Sequence, residues 1–117
     1  MKFMKNHSVQ LFKALSDLNR LRILKILQSR PLCVCEITEI LQLATSTVSQ
    51  HLKILKETGF IVEEKDGKWV NYMINPRPED ARVSSILGFL DFWIADEKTI
   101  IRDKEKVMNI NRHTVCF

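Results

Sequence analysis

Three cysteines offer the most reactive chemistry in this 117-residue chain: Cys33 and Cys35, one residue apart, and Cys116 near the end. A thiolate can attack, be oxidised or ligate a soft metal, whereas a buried thiol behaves as a small hydrophobe. Where thiols are kept reduced, structural disulfides are not expected, which leaves packing, metal ligation or redox sensing as the roles open to them. A second cluster is polar. Thr45, Ser46, Thr47, Ser49, Gln50, His51 and Lys53 fall within nine residues, with Lys65 and Lys68 a little further on. Hydroxyls and lysines suit phosphate oxygens and base edges, and a glutamine amide can pair bidentately with adenine. No glycine-rich phosphate loop, Ser-His-Asp set or His-x-x-x-His pair is present. The acidic stretch from Asp91 to Glu105 alternates with lysines and reads as a solvated helix face, so catalysis is not expected.

The totals narrow the setting. With 45% hydrophobic residues and only three prolines and three glycines, residues 1–117 are expected to form a single domain without a flexible linker. A formal charge of +4 suggests a polyanionic partner. No run of about 18 uncharged apolar residues suggests a membrane span, and no apolar run follows the first lysines as in a signal peptide. The expected location is the cytoplasm.

Hydrophobic spacing supplies the elements that must hold these groups. Val9, Phe12 and Leu15 mark a helix over 7–15, and Leu21, Leu24 and Leu27 mark another over 18–29, with Asp17 placed to cap it. Pro31 closes that pair. Ile37, Ile40 and Leu41 predict a short helix over 34–41. After a break at 42–44, Val48, Leu52 and Leu55 predict a helix to about residue 58, capped by one of Thr45, Ser46 or Thr47 and ended by Gly59. Two strand-like runs, 60–65 and 68–74, flank Asp66-Gly67, a strong hairpin signal. One long apolar helix is expected over 79–108, packed on its own core and on a twin. The expected order is α-α-α-α-β-β-α: mainly α with a β-hairpin, a dimeric winged helix-turn-helix. Its second helix would enter the major groove of double-stranded operator DNA by its N-terminal residues, with the hairpin lysines and Lys56 on the backbone.

Several runs resemble the ArsR/SmtB family of metal-responsive repressors. Phe12-Lys13-Ala14-Leu15-Ser16-Asp17 and Arg20-Leu21-Arg22-Ile23-Leu24 look like its opening, and Leu32-Cys33-Val34-Cys35-Glu36 resembles its metal-binding box. Residues 46–56 look like its recognition helix. The likeness covers about residues 9–75; Leu18-Asn19 departs from the usual proline and small polar residue. It implies a homodimer that blocks transcription until an ion binds, with a C-terminal dimerisation helix and a short tail, and with no cofactor required. Thr38 stands where the arsenic-type box has a further cysteine. The N-terminal arm lacks the cysteines of the cadmium- and lead-type site and offers only His7. The last helix lacks the histidines of the zinc-type site.

Cys33, Cys35 and Cys116 remain as candidate ligands, and three thiolates suit arsenite or antimonite as the inducer. Rival readings are a cadmium- or lead-responsive repressor, a repressor triggered by thiol oxidation (most readily joining Cys116 to one of the pair), and a winged helix that binds protein. Within a regular helix, residues i and i+2 point apart. Joint ligation by Cys33 and Cys35 is therefore expected to distort the helix start, whose positive end favours the thiolate.

Overall fold

The computed structural model describes residues 7–116. The reading of residues 1–6 as lacking a leader's apolar run lies outside them. Helix α1 (His7–Leu15) buries Leu11 and Ala14, and α2 (Leu18–Leu27) buries five consecutive residues, Ile23 to Leu27. Asp17 caps α2 as expected: its Oδ1 accepts from the backbone N–H of Asn19 at 2.8 Å and of Arg20 at 3.2 Å. A two-residue strand, β1 (Leu32–Cys33), precedes α3 (Val34–Leu41), and α4 (Thr45–Glu57) follows it. Gly59, at φ +90°, ends α4 in a left-handed turn. Its N–H reaches the Lys56 carbonyl, and the Phe60 N–H reaches that of Leu55, the paired bonds of a Schellman end.

Strands β2 (Ile61–Asp66) and β3 (Trp69–Ile74) form the hairpin. Asp66 pairs with Trp69, so the tight turn is Gly67-Lys68, one residue later than the sequence suggested. Gly67 supplies the positive φ, +62°, at its first position. The sequence reading did not include β1. It adds to the far side of β3, with Leu32 opposite Tyr72 and Cys33 opposite Asn71, giving a three-stranded sheet in the order β1-β3-β2. Two paired residues are too few to leave an alternating pattern.

The expected long helix over 79–108 is instead two, α5 (Ala81–Leu90) and α6 (Lys98–Asn109), and a four-residue α7 (Arg112–Val115) follows beyond it. Side-chain phase explains the break. At about 100° per residue, Ile100, Asp103 and Val107 lie roughly 130° around a continuous helix from Val83, Leu87 and Leu90. Both sets are buried, so the chain must turn between them. Ile94 takes the turn at φ +57°, a left-handed conformation that a β-branched residue rarely adopts. Lys25, fully buried on α2, donates its Nζ to the carbonyls of Leu90 and Asp91, and so satisfies the end of α5.

The buried centre is α2, which packs on α1, α4 and α6. It is tied to α6 by Arg22, whose Nε and Nη2 donate to the two oxygens of Asp103 at 2.8 and 3.0 Å. Among the described residues no helix is long and apolar enough to cross a membrane. Removing the carboxylate from this pair strands a guanidinium whose side chain is 14% exposed. Asp103→Ala is expected to lower stability by about 3 kcal/mol in urea unfolding. A loss no larger than that of a surface change, about 0.5 kcal/mol, would show that the pair does not hold α6.

Candidate functional site

The thiols converge. Cys33 is the N-cap of α3, in extended conformation (φ −88°, ψ 168°), and not a residue of its first turn. Its backbone N–H donates to Glu36 Oε1 at 3.0 Å, closing one turn back on itself in the manner of a capping box. This geometry lets Cys33 Sγ approach Cys35 Sγ to 3.4 Å with α3 intact. The expected distortion of the helix start is therefore unnecessary, because residues i and i+2 diverge only when both are helical. The tail brings the third sulfur: Cys116 Sγ lies 3.7 Å from Cys33 Sγ and is joined to Cys35 as a disulfide, with Cα atoms 5.6 Å apart. All three sulfurs fall within 4.8 Å of one another. Thr38, at the third position of the arsenic-type box, donates its hydroxyl to the Cys35 carbonyl at 2.9 Å.

The two distances from Cys33, 3.4 and 3.7 Å, fit a soft ion shared by the thiolates of the reduced site. With metal–sulfur bonds of about 2.3 Å, two thiolates on one ion sit roughly 3.3–3.8 Å apart. Cys33 is buried and the other two are half-buried. Burial pushes the Cys33 thiol above its ordinary range, despite the backbone hydrogen bond near it. The shift runs opposite to the expectation that the helix end favours the thiolate, with desolvation as its largest cause. Glu36, buried beneath the cluster, also faces Arg30 Nη1 at 3.5 Å. Arg30 Nη2 reaches the carbonyls of Val107 and Ile110 at the end of α6.

Sequence reasoning assigned nothing to Glu36 or Arg30. The pattern Cys33-x-x-Glu36 is that of a capping box with a thiol in the usual place of a hydroxyl, and it was legible.

The polar cluster lies on α4, which packs against α3. Thr45, Ser46, Thr47, Ser49, Gln50 and Lys53 are all exposed. Ala44, and none of the three hydroxyl residues, is the N-cap, so no cap hydrogen bond uses their side chains. The first turn therefore presents free backbone N–H groups and free hydroxyls together. His51 is different. Its side chain is 12% exposed, and Arg20 Nη1 lies 3.2 Å from its Nδ1. Arg20 also donates to the carbonyls of Ala14 and Lys13 at the end of α1. His51 thus faces α2 and helps fix the rotation of α4, which sets it apart from its exposed neighbours on that helix.

Lys65 and Lys68 are exposed on the hairpin, Lys68 with its Nζ 5.0 Å from the Trp69 ring. Lys56 is paired with Glu63 of β2, which raises its pKa.

A helix-turn-helix on a braced hairpin is a nucleic-acid-binding architecture, and known proteins agree. Residues 17–62 match the model of the bacterial regulatory protein, arsR family. The arsenical resistance operon repressor of Bacillus subtilis is 40% identical over 80 residues, covering 68% of this chain and 72% of that protein. The chain belongs to the ArsR family. The Escherichia coli arsenical resistance operon repressor is 41% identical over 69 residues, 58% of this chain; the chain spans 59% of that relative's length. A solved homodimeric winged helix-turn-helix DNA-binding domain from Mycobacterium bovis superposes with a TM-score of 0.63 at 25% identity, covering 80% of this chain and 82% of that one. The fold is the winged helix-turn-helix, and the family is one of DNA-binding transcriptional regulators and not of enzymes.

Burial ranks the thiols. In fully reduced protein, iodoacetamide at mildly alkaline pH is expected to label Cys35 and Cys116 before Cys33, as followed by peptide mass spectrometry. Equal rates at all three would contradict the buried, raised thiol at Cys33.

Proposed function

We propose that this ArsR-family regulator is a homodimeric, cytoplasmic repressor that holds operator DNA and releases it when a thiophilic ion, arsenite or antimonite, binds Cys33, Cys35 and Cys116. The observation that carries the reading is the meeting of these three sulfurs from β1, α3 and the tail, within 4.8 Å, in a chain related to arsenical repressors. Three soft donors at this spacing match a trigonal-pyramidal ion better than a hard cation that prefers oxygen. No cofactor is needed for the fold or for the DNA contacts. In the same reading Thr45, Ser46, Thr47, Ser49 and Gln50 meet base edges and phosphates, Lys53, Lys65 and Lys68 meet the backbone, and His51 positions α4 behind them.

A second reading has its own observation. The disulfide between Cys35 and Cys116 supports oxidation as the trigger. Two thiols would then give two electrons and two protons to hydrogen peroxide, forming one S–S bond and two waters. A side-by-side titration of DNA release separates the candidates, with arsenite, antimonite, cadmium, lead and peroxide as the arms. Cys33→Ser is the decisive variant: serine keeps the size but not the soft donor. It is expected to leave DNA binding near normal and abolish release by arsenite, while release by peroxide, which needs only Cys35 and Cys116, persists. Arsenite release at wild-type concentrations from Cys33→Ser protein would overturn the ion reading.

The dimer seam in this reading runs along α1 and α5. Phe12, Phe89 and Trp93 are 68%, 58% and 60% exposed around an apolar groove of about 800 Å³ between these helices. Three large aromatic side chains exposed around one apolar groove make it the contact surface this reading uses. Leu90 belongs to the protomer's own core and does not report on the seam. Phe89→Glu is expected to yield folded monomers in sedimentation that lose affinity for a two-half-site operator. A wild type that sediments as a monomer at micromolar concentration would overturn the dimer.

A further inference from the structure

Helix α7 is four residues long, too short to hold its own conformation. Yet it sets Cys116 beside sulfurs more than 80 residues earlier in the chain. Its strongest polar anchor is the wing. Arg112 Nη2 donates to Asp66 Oδ2 at 2.8 Å, beside the hairpin turn, and Nη1 donates to Asn71 Oδ1 at 3.0 Å. The same guanidinium lies 4.9 Å from the centre of the Trp69 ring, and the His113 ring meets that indole edge-on at 6.1 Å. Asn71 is also the residue opposite Cys33 in the β1–β3 ladder. One residue of β3 therefore touches the thiol site through the sheet and the tail through its side chain.

We propose that Arg112, held by Asp66, Asn71 and Trp69, is a latch that positions Cys116, so that closure of the thiol site and docking of the tail on the wing are one event. A single exposed ion pair would not suffice, since such pairs contribute little. Arg112 divides its fork between two acceptors and stacks on an aromatic face, which fixes its direction as well as its distance. Coupling is reciprocal: if the latch brings Cys116 to the other sulfurs, closing the site must hold the wing. The ion arm of this inference rests on the three-thiol reading above; the oxidation arm does not.

The test uses the full-length reduced protein in five forms: wild type, Arg112→Gln, Cys116→Ser, both substitutions together, and the swap Asp66→Arg with Arg112→Asp. Three quantities are measured: the rate of Cys35–Cys116 disulfide formation with diamide, arsenite affinity, and amide exchange in residues 61–74 before and after oxidation. Arg112→Gln is expected to slow disulfide formation and weaken arsenite binding, each about five-fold. The swap is expected to restore much of both. In the Cys116→Ser background, Arg112→Gln should have no further effect on arsenite, because a latch acts only through the sulfur it positions. Oxidation should slow exchange in the wing of wild type and not of Arg112→Gln.

Equal disulfide rates in wild type and Arg112→Gln would overturn the latch, as would an arsenite loss that persists without Cys116. Absence of arsenite affinity in wild type, with disulfide formation still slowed by Arg112→Gln, would sink the ion reading and uphold the latch.

Discussion

Cys33 satisfies two demands at once, and the arrangement of the site follows from them. As a β1 residue it pairs with Asn71 of the hairpin; as the N-cap of α3 it must leave helical geometry while its N–H finds a partner. Extended conformation meets both demands, and the Glu36 carboxylate takes the N–H that the helix cannot. Were Cys33 one residue further into α3, its sulfur would point away from Cys35, and β1 would lose one of its two pairs. The strand that joins the helix-turn-helix to the wing and the pocket that gathers the thiols are therefore the same few atoms.

The DNA-facing helix depends on a similar economy. Helix α4 is fixed in rotation by Val48, Leu52 and Leu55 against the core and by His51 against Arg20. It is fixed in length by the left-handed turn at Gly59, which sends Phe60 into the core and starts β2. Because Ala44 is the N-cap, the hydroxyls that follow remain free of intrahelical work. A capping serine or threonine at that position would stabilise the helix end by about 1 kcal/mol. An alanine there gives up that gain and leaves the first turn's N–H groups open to an acceptor from outside.

The sequence made the local decisions legible and concealed those that depend on distance. Asp17, Gly59 and the apolar stripes of α2 to α4 announce themselves within one or two turns, so those elements appear where spacing puts them; α1 also forms, but it buries Leu11 and Ala14 and leaves Val9 and Phe12 exposed. The break after α5 was written in the phase shift between Leu90 and Ile100, but a broad apolar stripe reads as one helix when only its density is followed. Strand β1 had no local signal, since its two residues are strands only because β3 lies beside them. At the site, the Cys33-Cys35 pair and Cys116 were visible by type, whereas their meeting depends on a fold that closes a sequence separation of 81 from Cys35 to Cys116. His51 shares the helical position of the polar cluster, but only the fold shows its ring meeting the half-buried Arg20.

The protonation state of the pocket bears on its selectivity. Burial raises the Cys33 pKa and so disfavours its thiolate. The pocket's one carboxylate, Glu36, is already committed to the Cys33 N–H and faces Arg30, which leaves no free oxygen for a hard ion. In the proposed reading an ion binds by displacing protons from sulfur, which favours ions whose bonds to thiolate are strong. Arg112, on the adjoining tail, lowers the Cys33 pKa electrostatically, although by less than burial raises it. The guanidinium that meets Asp66, Asn71 and Trp69 thus also acts on the Cys33 sulfur, so the wing and the thiols share one charged neighbour. A tail that docks brings both a third sulfur and a positive charge to the two sulfurs already in place.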